Sequence, residues 1–336
     1  MDRTPDDIPP PVIVAIVGPS GVGKTTLLKS LIRRYSKQTL QDARGPITVV
    51  SGKKRRLTFI ECNNNLNSMI DIGKIADLVL LMIDGSYGFE MVCISYFIRV
   101  HLTQLNRQDT FEFLNVLQAH GFPKVIGVLT HLDLIKKQSI LKSTKKAIKK
   151  RFWTEIYQGA KLFYLSGVLN GRYPDTEILN LSRFVSVMKF RPLVFRNSHP
   201  YLLADRLEDL TPRESIRASK GKCDRTVTLY GYLRGTNLRQ STKVHIPGVG
   251  DLDITSVNIL GDPCPLPDAD SEKRRKLSEK KKLLVHAPMS DVGSVMYDKD
   301  AVWINVPGNF TRGSTDGKTL LDLRGHQYNS FSSPAR

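Results

Sequence analysis

Val12-Ile13-Val14-Ala15-Ile16-Val17-Gly18-Pro19-Ser20-Gly21-Val22-Gly23-Lys24-Thr25-Thr26 joins an apolar, β-branched run to a glycine-rich loop, and Leu27, Leu28, Leu31 and Ile32 follow at helical spacing. The first six residues suit a strand buried on both faces of a parallel sheet, and residues 25–35 suit a helix. Between them, positions 18–25 fit GxxxxGK[ST] in the strand-to-helix context the motif requires. Such glycines let main-chain N–H groups turn inward and cup phosphate oxygens, while the helix N-terminus adds a positive partial charge. Gly18, Ser20, Gly21, Val22, Gly23, Lys24, Thr25 and Thr26 are therefore the expected phosphate-binding residues. Lys24 is expected to reach the β- and γ-phosphates, and the Thr25 hydroxyl to hold a Mg²⁺ ion that bridges them.

Outward from this stretch, strand-like runs at 47–50, 57–61, 78–84, 125–130 and 161–166 alternate with helical stretches, which is an α/β pattern. The first two of these look antiparallel and are joined by the basic turn SGKKRR. After about residue 190 helical periodicity fades, and strand-like pieces at 226–234, 243–246 and 251–260 appear among glycines. A P-loop domain over 12–190 with a mostly parallel sheet is thus expected, then a linker over 191–222, then a small β-barrel over 223–308. Residues 271–282, SEKRRKLSEKKK, read as a solvated basic loop inside that barrel. Proline-rich residues 1–11 read as an extended lead-in, and polar, glycine-rich 309–336 as a frayed tail.

Fifty Lys plus Arg against 32 Asp plus Glu leave a net charge of +18, a field attractive to nucleic acid or to acidic partners. In a helix expected over 139–153, Leu141, Ile148 and Phe152 share one face while Lys142, Lys145, Lys146, Lys149 and Lys150 cover the rest. That surface is either a solvated outer face or a contact with phosphate backbones. The four cysteines, Cys62, Cys93, Cys223 and Cys264, form no CxxC pair, so neither a zinc site nor a disulfide framework is expected. No apolar run approaches the roughly 20 residues that span a bilayer, and the start MDRTPDDIPPP has no signal-peptide core. A chain without membrane segments, with no obvious homo-oligomer, is expected in a reducing compartment.

The phosphate loop alone also suits a guanylate kinase or a transporter ATPase. Thr130-His131-Leu132-Asp133 follows an apolar strand where GTPases carry [NT]KxD, whose Asp bonds the guanine edge. Asp133 is the expected guanine reader; taken alone it would be a helix N-cap. Ser166-Gly167 resembles the short [ST][AG] loop that closes over the base. Thr48, in Arg44-Gly45-Pro46-Ile47-Thr48, is placed like a switch threonine on Mg²⁺ and the γ-phosphate. Where DxxG is expected the chain has Glu61-Cys62-Asn63-Asn64, and no Gln or His follows to orient an attacking water. Thr48 and Glu61 are the catalytic candidates, and slow intrinsic hydrolysis is expected.

Several strings together, RGPITVVSGKKRRLTFIEC, ADLVLLMIDGSYGFEM, TFEFLNVLQAHGFPKVIGVLTHLD, RFWTEIYQGAKLFYLSG and LYGYLRGTNL, resemble the BMS type of ribosome-biogenesis GTPase from about Val12 to Val306. The resemblance implies a nucleolar GTPase of the small-subunit processome with GTP and Mg²⁺ as cofactors. It further implies a translation-factor-like G domain, a domain resembling translation-factor domain II, and pre-ribosomal RNA and processome snoRNA as partners. An RNA-terminal-phosphate-cyclase-like partner would bind regions beyond this chain. The family's phosphate loop falls on Gly18 to Thr25, its switch threonine on Thr48, its Glu-Cys landmark on Glu61 and Cys62, and its THLD on Thr130 to Asp133. A sister TSR type has a degenerate phosphate loop, from which the intact Lys24 and Thr25 differ. Residues 92–108 interrupt the resemblance and read as a retained intron, the other reading being a genuine surface loop. The dissimilar ends and the shorter length read as those of a fragment.

Overall fold

Alternate residues of a single strand decide the layering. In β1 (Val12–Val17), Val14 and Ile16 enter one apolar cluster while Ile13, Ala15 and Val17 enter another, all of them buried. A strand covered on both faces requires this. The computed structural model describes residues 9–52, 55–86, 109–190, 193–239, 242–266 and 285–292. β2 (Leu40–Asp42) and β3 (Ile47–Ser51) follow the first helix, and β3 pairs antiparallel with β4 (Arg55–Glu61). β4 then pairs in parallel with β1, and β1 in parallel with β5 (Leu78–Asp84). β6 (Lys124–Thr130) and β7 (Leu162–Tyr164) extend the parallel sheet.

The helices sort onto the two faces by their apolar stripes. α1 (Lys24–Ser36) buries Leu27, Leu28, Leu31 and Ile32 in the cluster of Val14 and Ile16, together with Ile178, Leu181 and Val185 of α5 (Asp175–Val187). On the other face α2 (Leu66–Ile75), α3 (Asp109–His120) and α4 (Gln138–Glu155) bury Met69, Phe113, Leu117, Ile148 and Phe152 against Ala15, Val79 and Leu81. Each fully buried Leu, Ile or Phe contributes about 1.5–3 kcal/mol, so these two layers carry the domain. The carboxyl ends of β1, β4, β5 and β6 lie side by side, Ile16 beside Glu61 and Asp84 beside Thr130. In an open α/β sheet this edge is where ligands bind.

A small antiparallel region follows. α6 (Val194–Ser198) leads into β8 (Tyr201–Asp209), and after α7 (Arg213–Ala218) β9 (Val227–Arg234) pairs along the whole of β8 with a bulge between Ala204 and Arg206. β10 (Lys243–Ile246) and β11 (Gly250–Asp253) form a hairpin. β12 (Val285–His286) returns to pair antiparallel with β3, and β13 (Asp291–Val292) with β2. The main sheet is therefore seven-stranded, in the order β12-β3-β4-β1-β5-β6-β7.

Buried arginines dock this region on the sheet. Arg56 donates to the Asp262 carboxylate and to the Pro9 carbonyl at 2.7 Å, and lies over the Tyr232 ring. Arg196 donates to the carbonyls of Ala76 and Gly73, and Arg234 donates to that of Pro11. Burial pushes the Asp77 carboxyl up, and Arg234 stands 3.7 Å from it.

Two expectations are corrected here. The segment expected as a linker, 191–222, contains β8, which finds a backbone partner in β9 along its whole length. Residues 285–292, assigned to the barrel, complete the first domain instead: the outer edge of β3 would otherwise present unpaired N–H and C=O groups. Among the described residues the second region consists of two-stranded antiparallel ladders. The insertion at 92–108, the basic loop at 271–282 and the tail at 309–336 lie outside the described residues. No helix among the described residues is long and apolar enough to cross a membrane.

Candidate nucleotide-binding site

The loop after β1 is shaped by its glycines. Gly21 and Gly23 have φ of +78° and +92°, left-handed values that cost L side chains about 1–2 kcal/mol each. Gly23 caps α1, so the loop opens onto the positive end of a 13-residue helix. Lys24 is buried, its Nζ donating to the Gly18 carbonyl at 2.7 Å and to the Asn64 side-chain oxygen. The exposed Thr25 hydroxyl lies 2.9 Å from both carboxylate oxygens of Glu61, at the end of the neighbouring strand β4. Ammonium, hydroxyl and carboxylate thus converge at the carboxyl ends of β1 and β4.

A second set of loops meets at the next strands. β6 ends in Thr130, wholly buried, and His131 turns left-handed at φ 54° to start the short 3-10 turn Leu132–Leu134. That turn exposes Asp133, whose N–H donates to the Ser166 carbonyl at 2.8 Å. A Cβ on Gly167 would stand 2.8 Å from the Asp133 carboxyl carbon, so the loop after β7 can close on Asp133 only with glycine there. The structure therefore brings together Thr130, His131, Asp133, Ser166 and Gly167, which the sequence set apart by more than 30 positions.

Thr48 is the exception. It lies inside β3, 2% exposed, its hydroxyl 2.9 Å from that of Thr58. Thr58 pairs with Ile13 at the far end of β1, three residues below the level of Glu61. At about 3.3 Å per residue this places Thr48 roughly 10 Å from the edge that carries Thr25. The expected switch role is corrected: antiparallel pairing on both sides, with β4 and with β12, holds Thr48 in the sheet. The residues of that segment nearest the edge are Arg44, Gly45 and Pro46.

Sequence reasoning missed three supporting residues, Glu177, Asp84 and Tyr173, and quoted a fourth, Asn64, only at the place of the DxxG glycine. Glu177 of α5 accepts from both the main-chain N–H and the hydroxyl of Ser166, at 3.0 and 2.8 Å. Asp84 accepts from His131 at 2.9 Å and from Ser86. Burial works to raise the Asp84 carboxyl, but the Ser86 and His131 hydrogen bonds hold it below its ordinary range. Asn64 is bonded to Lys24, and Tyr173 packs against Gly23. Of the three missed, only Asp84 carried a local signal, as the acidic end of an apolar strand. On α4 Ile148 and Phe152 are buried as expected and Lys142, Lys146, Lys149 and Lys150 exposed, whereas Leu141 and Lys145 are half-buried, Lys145 lying over the Tyr164 ring.

Two family models match parts of the chain, the AARP2CN (NUC121) domain over residues 189–263 and the ABC transporter over 6–74, the stretch of β1, the glycine loop and α1. The chain is 62% identical over 314 residues to the ribosome biogenesis protein bms1 of Schizosaccharomyces pombe, covering 93% of this chain and 26% of that protein. It is 55% identical over 309 residues to the human ribosome biogenesis protein BMS1 homolog, covering 92% and 22%. The pre-rRNA-processing protein TSR1 homolog of Xenopus laevis is 30% identical over 268 residues, covering 77% and 28%. The chain thus spans about a quarter of the length of the curated relatives it matches. Among solved structures, the translation elongation factor SelB from Methanococcus maripaludis with the GTP analogue GppNHp aligns at TM-score 0.47 and 13% identity, covering 73% of this chain and 46% of that one.

Proposed function

The chain belongs to the BMS/TSR family of ribosome biogenesis proteins, and on that premise we propose that it is a guanine-nucleotide switch that times a step of small-subunit pre-rRNA processing. The observation that carries the reading is the contact of Asp133 with the Ser166–Gly167 loop on the same sheet edge as Lys24 and Thr25. One end offers an ammonium group and main-chain amides to phosphates. The other offers a carboxylate, which accepts hydrogen bonds from a guanine N–H edge and repels the acceptor edge of adenine at the same place.

Nucleotide and metal fit the residues present. Gly21 has open space where a Cβ would stand, as a phosphate cradle needs, while the Tyr173 hydroxyl occupies that place beside Gly23. Among the described residues no group of three or more His, Cys, Asp or Glu stands ready for a metal, so Mg²⁺ would rely on phosphate oxygens to complete its shell. Thr25 would bind the ion directly, and Glu61, already bonded to Thr25, would hold its water. Bound there, Mg²⁺ supplies charge neutralisation at the β- and γ-phosphates. Hydrolysis is read as slow, because Asn64 stands where a mobile glycine would sense the γ-phosphate, and no Gln or His follows.

A second reading is a structural assembly factor that holds nucleotide without turnover. The hydrogen bond from Lys24 to Asn64 favours it, since it engages the ammonium group with the protein itself. In both readings the work is nucleolar, the partners are pre-ribosomal RNA and processome snoRNA, and the lysines of α4 contact phosphate backbones. A cyclase-like protein would join through regions outside this chain.

Titration of the purified chain with labelled GTP, with and without Mg²⁺ and with ATP as competitor, tests the site. Lys24→Ala should weaken binding by at least tenfold, the loss of one charge-assisted contact. Asp133→Asn should shift preference towards xanthosine nucleotides. Unchanged affinity in the first variant, or unchanged guanine preference in the second, would reject the assignment.

A further inference from the structure

Beyond the residues that the phosphate and base loops supply, a tyrosine hydroxyl stands unpaired between them. Tyr173 is 3% exposed, and its Oη has no hydrogen-bond partner among the described residues. It lies 2.2 Å from where a Cβ on Gly23 would be, against the phosphate loop. The charge of Asp133 adds to burial in keeping it protonated. A buried hydroxyl without a partner costs stability and is uncommon.

Its position is fixed by the chain before and after it. Leu169 and Arg172 exchange main-chain hydrogen bonds at 2.7 and 3.0 Å across Asn170 and Gly171, whose φ values of 50° and 73° are those of a type I′ turn. Pro174 then opens α5, whose Ile178 and Leu181 share the apolar cluster that holds the tyrosine ring. This turn leaves the Ser166–Gly167 loop, which touches Asp133, and returns to Gly23, so one short segment touches both loops. Burial and the charge of Asp133 push the hydroxyl up to about 12, so it stays protonated and can only complete its bonding by donating or accepting as a neutral phenol.

We propose that Tyr173 is a nucleotide-binding residue, its hydroxyl donating to an oxygen in the section of a bound guanine nucleotide between the β-phosphate and the base. A ligand with phosphates at Gly23 and guanine at Asp133 must pass its α-phosphate and ribose between those points. Those groups offer acceptor oxygens, and the orphaned donor is what the apolar packing of the ring otherwise fails to explain.

The inference rests on the guanine-nucleotide reading, and the test separates the two. Tyr173→Phe in the full chain is titrated with fluorescent GDP and GTP, and its thermal unfolding is followed without nucleotide. Affinity for both nucleotides is expected to fall about tenfold, the worth of a hydrogen bond to a charged acceptor. The nucleotide-free melting temperature is expected not to fall, because phenylalanine removes an unpaired buried hydroxyl. Wild-type affinity in the variant overturns the inference alone. A loss confined to GTP overturns it as well, by moving the contact to the γ-phosphate. So does an affinity loss matched by a lower melting temperature, which makes the role structural. A wild-type chain that binds neither nucleotide overturns the inference together with the reading beneath it.

Discussion

Asp84 shows how a single carboxylate sets the geometry of the loop after β6. The Ser86 N–H and hydroxyl donate to one of its oxygens at 2.8 and 2.6 Å, and His131 lies 2.9 Å from the other. These bonds fix the ring of His131 while its left-handed backbone turns the chain towards Asp133. Because they outweigh burial and depress the carboxyl, Asp84 stabilises the fold fully above its unfolded value of about 3.9, and the gain fades as pH falls through the lower folded value. Asp84→Asn should therefore cost about 1–3 kcal/mol at pH 7 and progressively less below about pH 4. Urea unfolding at several pH values measures this; a penalty that stays constant into acid would contradict it. At the same scale Gly167 and Gly23 are placed by what surrounds them, a carboxylate in one case and a phenol in the other.

Among the elements, the short return segment 285–292 ties three parts of the molecule together. β12 covers the edge of β3 and β13 that of β2. His286 bonds Asp205 at the bulge of β8, at 2.9 Å. Ser290, almost wholly buried, accepts from the Arg44 N–H at 2.9 Å and donates to the Arg44 carbonyl at 2.6 Å, while Met289 packs on Gly45. The loop at 44–46 is thus clasped by a residue 246 positions downstream. Ser290→Ala removes both bonds and should cost about 1–3 kcal/mol, each bond being worth about 0.5–1.5. Hydrogen exchange at the Arg44 amide should speed up by tenfold or more, with little change at β5. If the Arg44 amide exchanges as in the wild type, the clasp does not hold that loop.

At the scale of the whole molecule, buried polar contacts dock the antiparallel region on the sheet that the two apolar layers hold together. The Arg56 side chain is 3% exposed, and its guanidinium is shared among Asp262, the Pro9 carbonyl and the Tyr232 ring. Asp262 also accepts from the Tyr232 hydroxyl and the Cys264 N–H, both at 2.9 Å. Asp262→Ala would leave the arginine charge buried and uncompensated, a loss of about 3–5 kcal/mol. Denaturant unfolding should show that loss, with a broadened or split transition as the antiparallel region separates from the sheet. A loss below 1 kcal/mol would mean that the docking is made elsewhere.

What the sequence by itself determined is local and periodic: a strand, a glycine loop and a helix over residues 12–36, the succession of parallel strands, and the places of Lys24, Thr25 and Asp133 after strands of that sheet. Those follow from side-chain periods of two and 3.6 and from the few conformations glycine alone adopts. Only the tertiary structure decided which groups meet. Thr48 left the site because its strand acquired neighbours on both sides, one of them more than 230 residues downstream. Tyr173, Glu177 and Asn64 entered it because loops after separate strands converge on one sheet edge. Partners of that kind are set by pairing register and by closure of the chain over long separations, which no local pattern encodes.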